Sequence, residues 1–508
     1  MEINIKNEKL PVCSAVCNLK NNFSTECDVI VPDAKPDISR ILQVSARARI
    51  TGCETQTDRV ILSGTVFFNI IYLADNEEKS VKSIDASCAF SNLFQGSGIR
   101  EDMLTISDID VSEVSYRLAN CRKLTVKGIL MGCVSVYSCT EATFISEIEG
   151  ACTKSEALSS TVICAHAEGG TSVSDSFELS QSKCEIREIL NSEAKISDSD
   201  IKIIDDKAII KGTVCATTLY IGERGLDFIE SELPFAHVLD VEGLRNDMLT
   251  SFDAKLTDIS TSAAPDANGE IRVLNINADI FFRVTARKTI NASCITDAYM
   301  PRANLELEKK RISVSGIEST LHNEADIRES ITLPEALPPI DTVYKIIARP
   351  FCEKSEISGD KLSISGYSEI YILYFSTDEL SPVYSYKTNV DFSVVSDCSD
   401  CTLVPVSECK MRNVSFVING EREVEVRSAI NISTRCMRES SAEVVTEAKE
   451  GVYSPAKRPS IILSFMPYDG SLWETAKEYN ISEEDILRAN ALESENDIKS
   501  GCALIIPK

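Results

Sequence analysis

Tryptophan and histidine are nearly absent from this chain, with one of the first and three of the second in 508 residues. His166, His237 and His322 share no spacing, so they fit ordinary surface or core positions better than a metal site or a catalytic base. No Walker-type phosphate loop and no nucleophile elbow occurs. No run of about 18 apolar residues occurs either, so a helical membrane span is not expected. The opening MEINIKNEKLP is broken by charges, and no apolar signal-peptide core follows it. The chain is therefore expected to be made and kept in a cytoplasm. Positive charge is scarce: 52 Lys and Arg stand against 78 Asp and Glu, for a net charge of −26. That balance disfavours nucleic acid or an anionic membrane as partner and leaves solubility or a basic partner surface.

Cysteine, by contrast, is abundant. Nineteen are present, an odd number, in a chain for which no export signal is expected and which has enough length to build cores without staples. Several fall inside apparent strands (Cys88, Cys133, Cys215, Cys294), where a free thiol behaves as a small apolar side chain. Reduced, structural cysteines are expected. Cys398 and Cys401 form a CxxC pair without a second pair at zinc-finger spacing, and Cys13 with Cys17 is no stronger, so no metal or cofactor is expected.

Apolar residues at 43% and charged residues at 26% are the composition of packed globular protein, and the length suggests three or four units. The chain repeats itself. Gly64-Thr65-Val66-Phe67-Phe68-Asn69-Ile70-Ile71-Tyr72 returns at Gly212 to Tyr220 and at Gly366 to Tyr374, glycine and tyrosine always eight residues apart. Pro32 lies thirty-two residues before Gly64 and Pro334 thirty-two before Gly366; in the second copy this offset aligns Ile186, Ile189 and Leu190 with Ile38, Ile41 and Leu42. Phe90, Phe235 and Phe392 follow their glycines by 26, 23 and 26 residues.

Ile38, Ile41 and Leu42 stand at helical spacing just after Pro36, which predicts one short helix per repeat. The rest alternates apolar and polar over short runs, as in Leu124-Thr125-Val126-Lys127-Gly128-Ile129, broken by turns such as Asp266-Ala267-Asn268-Gly269. The predicted fold is mainly β: three tandem antiparallel, sandwich-like repeats, each with its own core. They cover residues 27–149, 175–300 and 325–440, after an N-terminal segment 1–26. Segments near 150–178, 300–325 and 441–460 read as connectors, the last as a linker to a small domain at 461–508. Asp33 and Asp37 are not kept as a pair in the later copies, so turn and helix-start chemistry explains them better than catalysis.

From residue 461 the pattern becomes strand–helix–helix–strand. Ser471-Leu472-Trp473-Glu474 is a capping box, with Leu472, Ala476 and Tyr479 along one helical face. Ser482-Glu483-Glu484-Asp485 is a similar acidic opening, and Ala503-Leu504-Ile505-Ile506-Pro507 a final strand. Trp473 can either pack on its own helices or serve as an aromatic anchor for a partner. A patch around Trp473, rimmed by Glu474 and Glu478, is the expected main contact, with Tyr479, Asn490 and Leu492 on the same surface.

Two resemblances rest on these residues. Ser471-Leu472-Trp473, Ala476-Lys477, Tyr479-Asn480, Asp485-Ile486-Leu487, Ala489-Asn490 and Ile505-Ile506-Pro507 are similar to the LysM pattern. This resemblance implies a small α+β (βααβ) module that binds N-acetylglucosamine glycans such as peptidoglycan. Asp469-Gly470 reverses the family's usual Gly-Asp, which counts against glycan binding, and nine acidic against four basic residues in 461–508 suit a protein partner. Val31-Pro32-Asp33-Ala34-Lys35-Pro36-Asp37-Ile38 and the Gly64 to Tyr72 strand resemble the SPOCS domain of spore coats. Several SPOCS copies before one LysM resemble the clostridial SipL-type coat morphogenetic proteins. That resemblance implies a non-enzymatic scaffold in the mother-cell cytoplasm at the forespore surface. There it would bind the coat ATPase SpoIVA through the LysM module, together with other coat proteins. The alternative is a peptidoglycan-binding protein anchoring coat to cortex.

Overall fold

Alternating apolar residues and frequent β-branched side chains drive the repeats into long strands. The computed structural model describes residues 4–76, 80–223, 225–301, 303–376, 383–398, 403–451, 462–466, 471–498 and 501–507. The first unit is built from β1 (Ile5–Ile30), β2 (Ile38–Gln56), β3 (Arg59–Ala74), β4 (Val81–Gln95), β5 (Leu104–Asn120) and β6 (Lys123–Ile148). One sheet has the order β1-β6-β5 and the other β2-β3-β4, all antiparallel. The second unit repeats the plan with β7 (Cys152–Glu178), β8 (Glu188–Ile204), β9 (Lys207–Gly222), β10 (Gly225–Asp240), β11 (Leu249–Pro265) and β12 (Ile271–Tyr299). The third uses β13 (Asn304–Thr332), β14 (Ile340–Ser358), β15 (Lys361–Ser376), β16 (Val383–Asp397), β17 (Val404–Ile418) and β18 (Glu423–Gly451). The two sheets of a unit face each other: Val60, Leu62, Val66, Phe68 and Ile70 of β3 meet Leu124, Val126, Leu130 and Val134 of β6. The fold is mainly β and sandwich-like, as the alternation predicts.

Among the described residues, the expected short helix of each repeat is absent. Ile38, Ile41 and Leu42 lie in β2, where the register slips between Ile38 and Arg40 and again between Ile41 and Gln43. Each slip inserts a residue and resets the two-residue alternation. Two slips so close together bury positions 38, 41 and 42, imitating helical spacing. Unit three has the same slips after Ile340 and Val343, and unit two has one after Ile189.

The connectors also prove to be strands. β7 and β13 fill most of 150–178 and 300–325, and β18 runs to Gly451; residues 452–461 lie outside the described part. Segment 1–26 is mostly β1. The units therefore begin near residues 5, 152 and 304 rather than 27, 175 and 325. Pairing gives the reason, because the first strand of each unit joins its last: Ile5 faces Ile148, Cys152 faces Tyr299 and Asn304 faces Gly451.

The repeat landmarks have structural explanations. Gly64, Gly212 and Gly366 each lie directly opposite their phenylalanine on the next strand, Phe90, Phe235 and Phe392. A Cβ on Gly64 would stand 2.5 Å from the Phe90 ring and 2.1 Å from the Arg49 carbonyl oxygen. The aromatic ring covers the bare backbone, and the glycine gives it room. The tyrosines at the strand ends are fully buried. Their hydroxyls donate to the carbonyls of Pro36, Cys184 and Pro338 at 3.0, 3.3 and 3.0 Å, pinning the loop between the unit's first two strands. Arg122, Arg272 and Arg422 hold that loop from the other side. Arg122 donates to the Val31 and Pro32 carbonyls and pairs with Asp37 at 2.5 Å, which gives that aspartate an anchoring role at a turn.

The three units also pack on one another about a common centre. Ile71, Leu219 and Leu373, one repeat position in three copies, meet there with Leu42 and Leu190. Leu42 and Leu190 are the residues that the slips in β2 and β8 turn out of their own sandwiches. At the other end of the molecule, the outer halves of β1–β6, β7–β12 and β13–β18 extend as two-stranded ribbons. Each ribbon departs at a further slip, at Val16, Cys164 and Glu318. The ribbons form a three-sided stalk whose interior again holds triplets: Leu10, Leu158 and Ile312; Phe144, Cys294 and Val444; Ile145, Ile295 and Val445. Each of these larger apolar side chains contributes about 1.5–3 kcal/mol by burial. Charges cross between units as well, with Lys255 on Asp108, Lys410 on Asp253 and Lys345 on Glu193 at 2.5, 2.7 and 2.5 Å. Burial alone would raise the Glu193 carboxyl, but Lys345 and Asn191 bring it below its ordinary value and keep it charged. Each repeat owns a core, yet the three are faces of one body.

The C-terminal module follows the expected order: β19 (Ile462–Phe465), α1 (Leu472–Glu478), α2 (Glu483–Ala489) and β20 (Ala503–Ile506), with β19 and β20 antiparallel.

Candidate partner-binding surface

The module is held by local chemistry legible in its sequence. The Ser471 and Ser482 hydroxyls accept from the amides of Glu474 and Asp485, capping the two helices. Of the capping box expected at Ser471 and Glu474 the serine half is present; the carboxylate that accepts from α1's first turn is that of Glu495, on the Leu472 amide at 2.8 Å. Asn480 and Ala491 take left-handed φ values of 50° and 57° just past the helix ends, as C-terminal caps require. Leu472, Ala476, Ile486, Leu504 and Ile506 form the core.

The residues expected at a partner surface are divided by the structure. Trp473 is half-buried against unit two. Its indole Nε1 donates to Asp297 at 3.0 Å, and its ring meets Tyr299 edge-on at 4.9 Å. Lys477 and Lys309 donate to the same carboxylate at 2.6 and 3.1 Å, and the Tyr299 hydroxyl donates to the Ile481 carbonyl at 2.9 Å. Burial would raise the Asp297 carboxyl, but hydrogen bonds from Lys477, Trp473 and Lys309 hold it at about 2. This is a docking joint between the module and the tip of the second ribbon. Glu474 and Glu478 are exposed, while Tyr479 and Leu492 pack half-buried on the module core. Asn490 is a structural clip: its amide donates to the Ile486 and Ile505 carbonyls and accepts from the Ile505 amide, all within 2.8 Å. The proposed surface is thus not gathered on one face. Asp469-Gly470 lies outside the described residues.

The outer face of the small sheet shows what sequence reasoning missed. Leu463 faces Ile505 across the strands, with Phe465 facing Ala503 beside them. Leu463, Phe465 and Ile505 are 57%, 68% and 46% exposed, while Ile506 and Leu504 on the other face are buried. The available signal was an apolar residue at both parities, Ile462 beside Leu463 and Phe465, which gives a two-stranded sheet two apolar faces when its helices cover only one. Asp297 and Tyr299 left no such signal, since their partners come from about 180 residues away.

Other constellations carry less. A cleft of about 460 Å³ between units is lined by Arg47, Asn69, Asp85, Glu193 and Arg349, but Arg47 is engaged by Asp258 and Glu193 by Lys345. His166 bonds Thr285 and His237 stacks on Phe282. Cys398 is buried, and Cys401 lies outside the described residues. Among the described residues, no group of three or more His, Cys, Asp or Glu is placed to hold a metal. No helix there is long and apolar enough to cross a membrane.

Comparison with protein families adds one finding. A family model described as SipL, SPOCS domain matches three times, at residues 37–119, 185–264 and 339–419. Each match starts beside the β1–β2 loop or its counterpart and ends near the close of the fifth strand, so it omits the ribbons. Curated proteins and solved structures gave no match.

Proposed function

Since the chain belongs to the proteins built on SipL-type SPOCS domains, which are sporulation-related, we propose that it is a non-enzymatic scaffold of spore coat assembly. Its body presents the LysM-like module to the coat ATPase SpoIVA, and the complex helps encase the forespore from the mother-cell cytoplasm. The observation that carries this reading is the exposed apolar sheet face of Leu463, Phe465 and Ile505. A contiguous apolar face on an otherwise acidic module is suited to a protein partner, since aliphatic and aromatic anchors supply most of the energy of such contacts. A glycan would instead want hydrogen-bonding groups. Asn490, which bonds the Ile505 backbone of that sheet, has its amide spent there and on Ile486.

The test is capture of purified SpoIVA by the full chain and by Leu463→Asp/Phe465→Asp, with circular dichroism confirming the fold. Loss of capture by at least tenfold is expected. Unchanged capture, or binding to soluble peptidoglycan fragments in place of SpoIVA, would sink the assignment.

A further inference from the structure

Where the three ribbons leave their sandwiches, one position differs in kind. In ribbon two Thr161 faces Thr289, their hydroxyl oxygens 3.0 Å apart. Ribbon three sets Ser315 opposite Glu439. Ribbon one sets Cys13 opposite Cys139, with their sulfurs 2.7 Å apart. Two unbonded sulfurs rarely come so close, and the bonded length of about 2.05 Å lies only about 0.7 Å away. The facing positions of neighbouring antiparallel strands also bring the two backbones within the span a disulfide bridges.

We propose that Cys13 and Cys139 are a site of oxidative cross-linking, closed to a disulfide by a small-molecule disulfide of the glutathione class. Access is one-sided: Cys139 is exposed, whereas Cys13 is 6% exposed. Cys139 therefore reacts first. Its thiol gives up a proton, and the thiolate attacks one sulfur of the oxidant, breaking that S–S bond and releasing one small thiol. Cys13 then loses its proton and attacks the Cys139 sulfur, expelling the second small thiol. One S–S bond forms in the protein and one breaks in the oxidant, which takes up two electrons and two protons. Burial, together with the hydrogen bond that the Cys139 thiol makes to Cys13, pushes Cys139 up to about 12, so the exchange quickens as pH rises. Cys164, the inserted residue at the equivalent slip of unit two, is exposed and its charge is felt at Cys139, so it is the thiol to watch as a competing partner.

The bond would join residues 126 apart and close the first sandwich into a loop, restricting its unfolded chain. The full chain is incubated with oxidised glutathione near pH 8, alkylated with iodoacetamide, digested and mapped by mass. A peptide joining Cys13 to Cys139, cleaved by dithiothreitol, is expected, with a higher unfolding temperature than the reduced chain. Cys13→Ser/Cys164→Ser is expected to leave Cys139 as a stable glutathione adduct and to remove that shift. Recovery of both cysteines alkylated, or a Cys139–Cys164 link in the wild-type chain, would overturn the proposal.

Discussion

At the tips of the ribbons, unit two carries Asp297 and Tyr299 where unit one has Glu147 and Glu149 and unit three has Glu447 and Lys449. The backbone pairing is the same in all three. Yet the C-terminal module is held by ribbon two, because an aromatic ring and a carboxylate at the right depth are needed together. Asp297 gathers one indole and two ammonium groups. A glutamate beside another glutamate or a lysine lacks the ring for Trp473, and in unit three Glu447 is already paired with Lys449. Inside the units the opposite holds, since the glycine, phenylalanine and tyrosine positions are nearly interchangeable. Repeats of this kind keep their fold through buried landmarks and acquire individual tasks at exposed strand ends.

The largest expected effect tests the interchangeability of the interiors. Gly64→Ala puts a methyl group into both the Arg49 carbonyl and the Phe90 ring, whereas Gly212→Ala meets mainly the Phe235 ring, its nearest backbone atom being 3.3 Å away. Chemical denaturation should show a loss of about 3 kcal/mol for the first and about 1 kcal/mol for the second. Equal losses would mean that the phenylalanine, not the backbone, sets the limit in every unit.

The next effect tests the difference at the tips. Asp297→Ala should weaken docking by about 2 kcal/mol, while Glu147→Ala and Glu447→Ala should leave it intact. Trp473 is the sole tryptophan, so its emission reports the joint directly and should shift to the red only in Asp297→Ala. Acid gives an independent reading. A free aspartate titrates near 3.9, and the docked one is held at about 2. The docked value lies below the free one, so this contribution is complete above about pH 4 and fades as pH falls through about 2. A tryptophan signal that moves near neutrality would point to another group.

The smallest effect concerns the loop tyrosines. Tyr72→Phe and Tyr374→Phe leave the Pro36 and Pro338 carbonyls without their 3.0 Å donors and should each cost about 1 kcal/mol in thermal unfolding. The longer 3.3 Å bond of Tyr220 to Cys184 should be worth less to its loop.

The strands bearing large alternating residues were legible in the sequence, as were the repeat period and the capping serines of the module. The first strand of each unit was not. β7 reads Ser-, Gly- and Glu-rich because its inward positions include Ala165, Ala167 and Gly169, small residues that receive side chains from elsewhere. Leu239 occupies the space a Cβ on Gly169 would need. The helix expected at Ile38 failed for another reason, since two inserted residues gave a strand the spacing of a helix. At the candidate surface, local sequence located the module but not its joint to the body, whose partners are fixed only by tertiary packing.

Pairing of first strand with last also governs how the chain can be made. Ile5 cannot meet Ile148 until the ribosome has passed it, at about 5–20 residues per second roughly 10–30 s after β1 emerges. The central cluster waits longer still, since it draws on residues from Leu42 to Phe375. A message broken after the second repeat would therefore yield two nearly finished sandwiches with Ile71 and Leu219 bare at what should be the centre. Such fragments have a ready apolar seat for the missing third of another copy, so premature termination should produce clumping rather than a shorter working protein.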